Sequence, residues 1–329
     1  MATIKEIADM ANVSRTTVSR VLNDSGYVSK DVRQRIMKVI EETGYVPSEH
    51  AKSLRTKKTK VIGVILPKIS TETSSRLVAG IDDILSEKGY QILLANTNLD
   101  QEKELEFIKL LKVRQVDGII LTATNVNERL VQQINKTDIP LIVIGQEVDS
   151  VSNVLYDDYH AARAVVSLFI QKGHEAISFI GVDESDVAVG HLRKKGYIDE
   201  MTQHGLTVED TWIQKGIFDI ESGYEAMKKI IETSTHTPTA IFAVTDRLAV
   251  GAINYLKEKG YQIPEDMAIA GIGASEISQY VNPPLTTVDY QNEAAGKAAA
   301  KLLIESIETN KKEPKKITLD YRLLVRDSV

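Results

Sequence analysis

The chain contains no cysteine, so neither a disulfide framework nor a thiolate metal site is open to it. It has no apolar run approaching the roughly 18 residues that a membrane-spanning helix needs. Its first residues, Met1 to Asp9, carry Lys5, Glu6 and Asp9 where a secretory signal would be apolar, so no export is expected and the expected location is the cytoplasm. The six histidines are scattered without metal-ligand spacing, so no metal is expected. Ser185 and Ser275 have no local base partner, so no nucleophilic site and no enzyme is expected. Gly271-Ile272-Gly273 begins a dinucleotide fingerprint, but Glu276 stands at the third glycine and no cofactor is expected. Hydrophobic residues at 43% and charged residues at 26% fit a globular chain. At 329 residues it should form two or three domains.

Charge is distributed unevenly. Residues 1–60 hold 12 Lys/Arg and 7 Asp/Glu, a balance of +5, while the rest of the chain is at −11. A basic head on an acidic body points to a nucleic-acid-binding head. The local pattern agrees. Thr3 can cap a helix whose Ile4, Ile7, Ala8 and Ala11 share a face, and Asn12 suits a turn. Ser14 can cap a second helix with Val18, Val21 and Leu22 inward, which is helix-turn-helix spacing. Ser29 can cap a third, with Val32, Ile36, Val39 and Ile40 at helical intervals and Gly44 at its end. Residues 48–59 are polar and basic, a linker or a helix too short to be stable without a partner.

From Lys60 onward, apolar runs alternate with amphipathic stretches. The runs are Val61–Leu66, Ile92–Ala95, Gly118–Leu121, Leu141–Ile144, Ile177–Ile180, Ala240–Val244 and Ala268–Gly271. Helical stretches between them include 75–88, 103–112, 160–172, 223–232 and 249–259. This alternation predicts parallel sheets covered by helices on both faces, in two α/β lobes. Ligands of such sheets lie beyond the carboxyl ends of the strands. That directs attention to residues 68–74, 96–98, 122–124, Gln146, 245–246 and 272–275.

The head segment Thr-Ile-Lys-Glu-Ile-Ala…Asn-Val-Ser-Arg-Thr-Thr-Val-Ser-Arg-Val-Leu-Asn resembles the DNA-binding head of the LacI/GalR repressor family. The likeness continues through Gly26-Tyr27-Val28-Ser29, Glu42-Thr43-Gly44-Tyr45-Val46-Pro47 and Ala51…Ser53-Leu54-Arg55-Thr56. In the body it includes Val61–Pro67, Val116–Ile120, Pro283–Val288 and Leu324-Val325-Arg326. The resemblance implies a small all-α helix-turn-helix head (1–47), a hinge helix (48–59) and a two-lobed α/β core with parallel sheets like the periplasmic binding proteins. One lobe would take 60–159 with about 290–318, the other 160–289 with about 319–329. Crossovers would fall near Asp158, Asp289 and Thr318.

The family also implies a palindromic operator in double-stranded DNA, bound by a homodimer. Arg15, Thr16 and Arg20 would face base edges, since arginine pairs bidentately with guanine and a threonine methyl meets thymine. Ser14, Thr17, Ser19, Asn23, Tyr27 and Ser29 would hold phosphates, with Thr3, Ile4 and Tyr45 beside them. Leu54, flanked by Ala51 and Lys52, would wedge into the minor groove and bend the duplex. A small sugar or sugar phosphate would lie between the lobes. Arg193, Asp246 and Asn96 would meet its hydroxyls, and Phe218 or Tyr290 its apolar ring face. Thr71, Ser74, Thr124 and Gln146 would complete the contacts.

Arg193 stands at the family's Leu-Arg-x-x-Gly-Tyr position, and Asp246 in its Asn-Asp pair, whose first member here is Thr245. The chain departs from many relatives at Thr71–Ser74, Gly145-Gln146 and Gly273-Ala274, where an aromatic pair, Asp-Arg and Asp-Asp respectively are common. These departures favour the branch that responds to sucrose, trehalose and related disaccharides, with sucrose or another fructosyl sugar first. One alternative is a catabolite-control regulator whose co-repressor is a phosphorylated carrier protein. Another is a sugar-binding transport protein.

Overall fold

The computed structural model describes residues 2–45, 58–309 and 313–329. Ala51, Lys52 and Leu54 of the expected hinge lie outside the described residues. The chain forms two compact units, Met1–Thr59 and Lys60–Val329.

In the first unit, α1 (Ile4–Met10), α2 (Arg15–Leu22) and α3 (Lys30–Thr43) form a small bundle. Thr3 and Glu6 make a reciprocal capping box: Glu6 N–H donates to Thr3 Oγ1 at 3.3 Å and Thr3 N–H to Glu6 Oε2 at 2.7 Å. The Ser14 hydroxyl accepts the Thr17 N–H at 3.1 Å and starts α2. Ser29 occupies the corresponding position before α3, but its side chain makes no capping bond. Gly44 ends α3 in the left-handed region at φ +60°. The inward residues Ile7, Ala8, Ala11, Val18, Val21 and Ile36 close a core of their own.

The second unit has two six-stranded sheets. The first contains β1 (Val61–Leu66), β2 (Gln91–Asn96), β3 (Gly118–Thr122), β4 (Leu141–Ile144), β5 (Ser152–Tyr156) and β11 (Lys316–Leu319), in the order β11-β5-β4-β3-β1-β2. The second contains β6 (Ile177–Gly181), β7 (Ile213–Lys215), β8 (Ala240–Ala243), β9 (Ala268–Ile272), β10 (Thr286–Asp289) and β12 (Arg322–Leu324), in the order β12-β10-β9-β8-β6-β7. Among the described residues only the β10–β12 pair is antiparallel. The fold is thus a helical head with a two-lobed α/β core.

Strand β1 shows why these runs are apolar throughout. Ile62, Val64 and Leu66 face the cluster formed with α4 (Glu72–Glu87) and α12 (Asn292–Thr309), while Ile65 faces the cluster with α5 (Gln101–Val113) and α6 (Glu128–Asn135). Successive side chains of a strand point to opposite faces, and here both faces are buried. The second lobe is covered by α7 (Asp158–Gln171), α8 (Arg193–Gln203), α9 (Ile220–Thr233) and α10 (Asp246–Glu258), with the short α11 (Ile277–Tyr280) near its edge. A π-helical turn, Val187–Leu192, leads into α8. The chain crosses between lobes after β5, after β10 and between β11 and β12.

Helix α12 follows a strand of the second lobe but packs on the first. The contact is close: a Cβ at Gly80 would fall 2.0 Å from the Glu293 carbonyl oxygen, and one at Gly296 2.1 Å from that of Leu77. Backbone blocks both positions, so no flexible side chain can move away. Gly80→Ala is therefore expected to destabilise the core by about 1–3 kcal/mol, the usual range for overpacking, read as a lower urea midpoint. An unchanged midpoint would show that α4 and α12 can separate freely.

Candidate functional site

The head presents two kinds of polar side chain. Ser14, Thr17, Ser19 and Asn23 shape α2: the Ser14 and Thr17 hydroxyls lie 2.9 Å apart, and Asn23 Nδ2 donates to the Ser19 carbonyl at 2.6 Å. Thr3 is engaged with Glu6, whereas Ile4 and Tyr45 pack partly against the bundle core. Arg15, Thr16, Arg20 and Tyr27 are exposed and make no hydrogen bond or ion pair among the described residues, with Tyr27 90% exposed. The outer face of α2 and the turn after it therefore offer unengaged donors.

In the core, the strand ends of both lobes meet around a cavity of about 620 Å³. Its floor is built at the crossovers. Tyr156 stacks on Tyr290 with ring centroids 4.9 Å apart, and its hydroxyl donates to Asn292 Oδ1 at 2.8 Å. The Tyr290 hydroxyl donates to Asp158 Oδ1 at 2.9 Å. Arg193 donates through Nε to the same carboxylate oxygen at 2.6 Å and through Nη1 to the Val244 carbonyl, and its guanidinium lies 5.2 Å from the Tyr290 ring centroid. Burial, above all, drives the Tyr290 phenol well above its ordinary range, so it remains a donor.

Three hydrogen bonds join the lobes across the cavity. Gln146 Nε2 donates to Asp186 Oδ1 at 2.7 Å. Arg76 Nη1 donates to the Ala274 carbonyl at 2.9 Å. Glu276 N–H donates to Glu72 Oε2 at 2.5 Å, and Glu72 is also paired with Arg76. Asp186 begins the π-helical turn by accepting the Val189 N–H at 2.9 Å. Burial raises its carboxyl above the usual range, while Val189 and Gln146 pull it down. Burial raises Asp246 too, against the hydrogen bonds it accepts from Thr287 and Ser275.

Of the residues read from the sequence, Thr71, Ser74, Thr124, Gln146, Arg193, Phe218, Asp246 and Tyr290 all line this cavity. Asn96 does not. It ends the edge strand β2, and its side-chain oxygen accepts the Ile69 N–H at 3.1 Å, bracing the loop after β1. Several lining residues are already engaged within the protein. Thr71 caps α4 and donates to Ser74 Oγ at 3.0 Å. Thr124 donates to the buried Glu104 at 2.9 Å. Asp246 faces back toward β9 and β10. Phe218 is held at φ +65°, a region that bulky side chains rarely adopt and that marks functional sites. Sequence reasoning missed Asp186, Asn292, Arg247 and the floor roles of Tyr156 and Asp158. Asp186 follows the carboxyl end of β6, so the strand-end rule extended to that strand would have found it.

A family model of bacterial regulatory proteins, lacI family, matches residues 3–48, and one of a periplasmic binding protein-like domain matches residues 166–329. The chain is 34% identical to Catabolite control protein A of Priestia megaterium, over 99% of this chain and 98% of that one. The chain belongs to the lacI family. This lacI-family protein is also 33% identical to the transcriptional repressor PurR of Pasteurella multocida (strain Pm70), over 100% and 99% of the two chains. Among solved structures it is similar to a complex of the transcriptional regulator CelR with cellobiose, at 28% identity, full coverage of both chains and a TM-score of 0.76. The lac repressor dimer bound to operator shares its fold at a TM-score of 0.89, with 22% identity over 99% and 98% of the chains. The protein is a DNA-binding transcriptional repressor with a sugar-binding type of core, and its relatives are regulators, not enzymes.

The raised Asp186 carboxyl has a consequence for stability. The folded state favours its protonated form, so its contribution is fully present below the unfolded value of 3.8 and is lost as pH rises through the higher folded value. Asp186→Asn keeps an oxygen for Val189 and Gln146 and removes the charge. The variant is expected to be more stable than wild type at pH 7, with the difference fading toward pH 3.8. Urea midpoints measured across that range check this, and a variant less stable at pH 7 would overturn it.

Proposed function

We propose that this repressor acts in the cytoplasm as a homodimer on a palindromic operator, and that a small sugar or sugar phosphate in the interlobe cavity controls it. The observation that carries the reading is the convergence of strand ends, buried charge and an aromatic floor on one cavity, with three further hydrogen bonds reaching across it among the described residues. A ligand that prefers one lobe arrangement shifts the equilibrium by its differential affinity, and about 1–3 kcal/mol is typical of such coupling. The cavity lies within the size range of small-molecule sites. The cellobiose complex of CelR supports a ligand of disaccharide size, and a fructosyl disaccharide such as sucrose is the first to test.

In the head, Arg15, Thr16 and Arg20 read base edges, while Ser14, Thr17, Ser19, Asn23, Tyr27 and Ser29 position the backbone, with Thr3, Ile4 and Tyr45 beside them. Leu54, with Ala51 and Lys52, is the proposed minor-groove wedge. Homodimerisation is supported by the sheet edge at β2, which pairs with no further strand among the described residues and where Leu93 and Leu94 are 42% and 41% exposed. An apolar edge strand left uncovered is prone to pair with another chain. A second reading, a catabolite-control regulator with a phosphorylated carrier protein as co-repressor, is favoured by the similarity to Catabolite control protein A.

Fluorescence anisotropy of a palindromic site from the gene's own upstream region tests both readings at fixed salt, since salt alone changes such affinities strongly. Release by a sugar or sugar phosphate is expected. Binding that ignores all of them but tightens with the phosphorylated carrier would favour the second reading. Arg20→Ala is expected to weaken specific binding by about 1–3 kcal/mol and leave non-specific binding nearly unchanged. An unaltered ratio of specific to non-specific affinity would remove Arg20 from base reading.

A further inference from the structure

Most charges lining the cavity are matched within the protein. Arg193 is paired with Asp158, Asp186 accepts from Gln146 and Val189, Asp246 accepts from Ser275 and Thr287, and Glu72 holds Arg76 and the Glu276 N–H. Glu276 itself sits exposed at the rim. Two cations stand apart from this pattern. Lys68, in the loop after β1, and Arg247, in the first turn of α10, both line the cavity, and they come from opposite lobes. Neither side chain has a hydrogen bond or ion pair among the described residues.

Arg247 Nε is withdrawn from water with no acceptor. A charged donor desolvated in this way is costly unless something accepts from it. Both cations act on one carboxylate, Asp219, which lies below its usual range first because it accepts the Ser222 N–H, and further because of Lys68 and Arg247. The two therefore share one neighbourhood, where a single carboxylate, itself engaged with Ser222 at 2.8 Å, faces two positive charges. The strained Phe218 precedes that carboxylate and lines the same cavity.

We propose that Lys68 and Arg247 form an anion subsite in the cavity, and that the effector is a carbohydrate carrying a phosphate or carboxylate group. The inference rests on the reading of this cavity as the effector site. A guanidinium matches two oxygens of such a group at once, and the lysine adds a point charge from the facing lobe. An oxyanion held by both cations ties the lobes together. That adds to the affinity difference between lobe arrangements that the sugar ring alone provides.

Isothermal titration of the full-length protein tests this with matched ligands. The pairs are glucose and glucose 6-phosphate, fructose and fructose 6-phosphate, sucrose and sucrose 6-phosphate, and galactose and galacturonate. At least one anionic member is expected to bind tenfold or more tightly than its neutral parent. Phosphates and the uronate separate the two sources of negative charge. Lys68→Gln and Arg247→Gln should each bring that ligand to within a few-fold of its parent while keeping the wild-type thermal midpoint, and Arg247→Lys should restore only part of the loss. Neutral sugars binding as well as their anionic partners, or anionic binding unmoved by both variants, would overturn the subsite. In that event Phe218→Ala separates the two levels. Neutral binding weakened by Phe218→Ala leaves the cavity as effector site and removes only the anion subsite, whereas absence of binding by every ligand, or indifference to Phe218→Ala, overturns both.

Discussion

The core depends on one buried contact between opposite charges. Asp158 and Arg193 are almost wholly removed from water, and each would be expensive to bury alone. Together, with the Tyr290 hydroxyl and the Val244 carbonyl as further partners, they form a satisfied cluster. It sits where the chain passes between the lobes: Asp158 opens α7 after the first crossing and Tyr290 lies on the second. Tyr156, at the end of β5, stacks on Tyr290 and joins Asn292 at the start of α12. The crossing segments and the cavity floor are thus one set of residues. A ligand resting on that floor rests on the segments about which the lobes would move.

Above the floor, polar contacts join the lobes. Gln146–Asp186 and the Glu72–Arg76 cluster are hydrogen bonds at the cavity. Such contacts contribute modestly, on the order of 1 kcal/mol each for neutral partners and more where a charge takes part. The loss or gain of one of them is comparable to the coupling free energy with which one ligand usually biases two states. A ligand that replaces or reinforces them therefore has the leverage that control by a small molecule needs.

Much of the fold was legible because burial on both faces leaves a plain sequence mark. The apolar runs coincide to within a residue or two with β1, β3, β4, β6, β8 and β9, which are buried on both faces, and also with the half-exposed edge strand β2. The remaining strands escape that pattern: β5, β7, β10, β11 and β12 are short, lie toward the sheet edges or carry Ser, Thr, Lys and Arg. Helices read from their apolar stripes began two or three residues late, as at α4, α5 and α7. Their first turns are polar capping turns, Thr71-Glu72, Asp100-Gln101 and Asp157-Asp158, with no stripe to see. At α4 and α7 those turns border the cavity, so periodicity fades where the ligand site begins.

By itself the sequence determined the helical head, its caps, the alternation of strand and helix and the strand ends around which a site forms, because each follows from neighbours close in the chain. Tertiary structure alone decided which polar residues remain open to a ligand. Asp246, Thr124 and Ser74 have the chemistry of sugar contacts, yet Ser275 and Thr287, Glu104 and Thr71 engage them. Asn96 was withdrawn to brace Ile69. Lys68 and Arg247 lie far apart in sequence and come from different lobes, so only folding shows that they line one cavity. Availability of a side chain is set by what packs against it, and those partners come from elements distant along the chain.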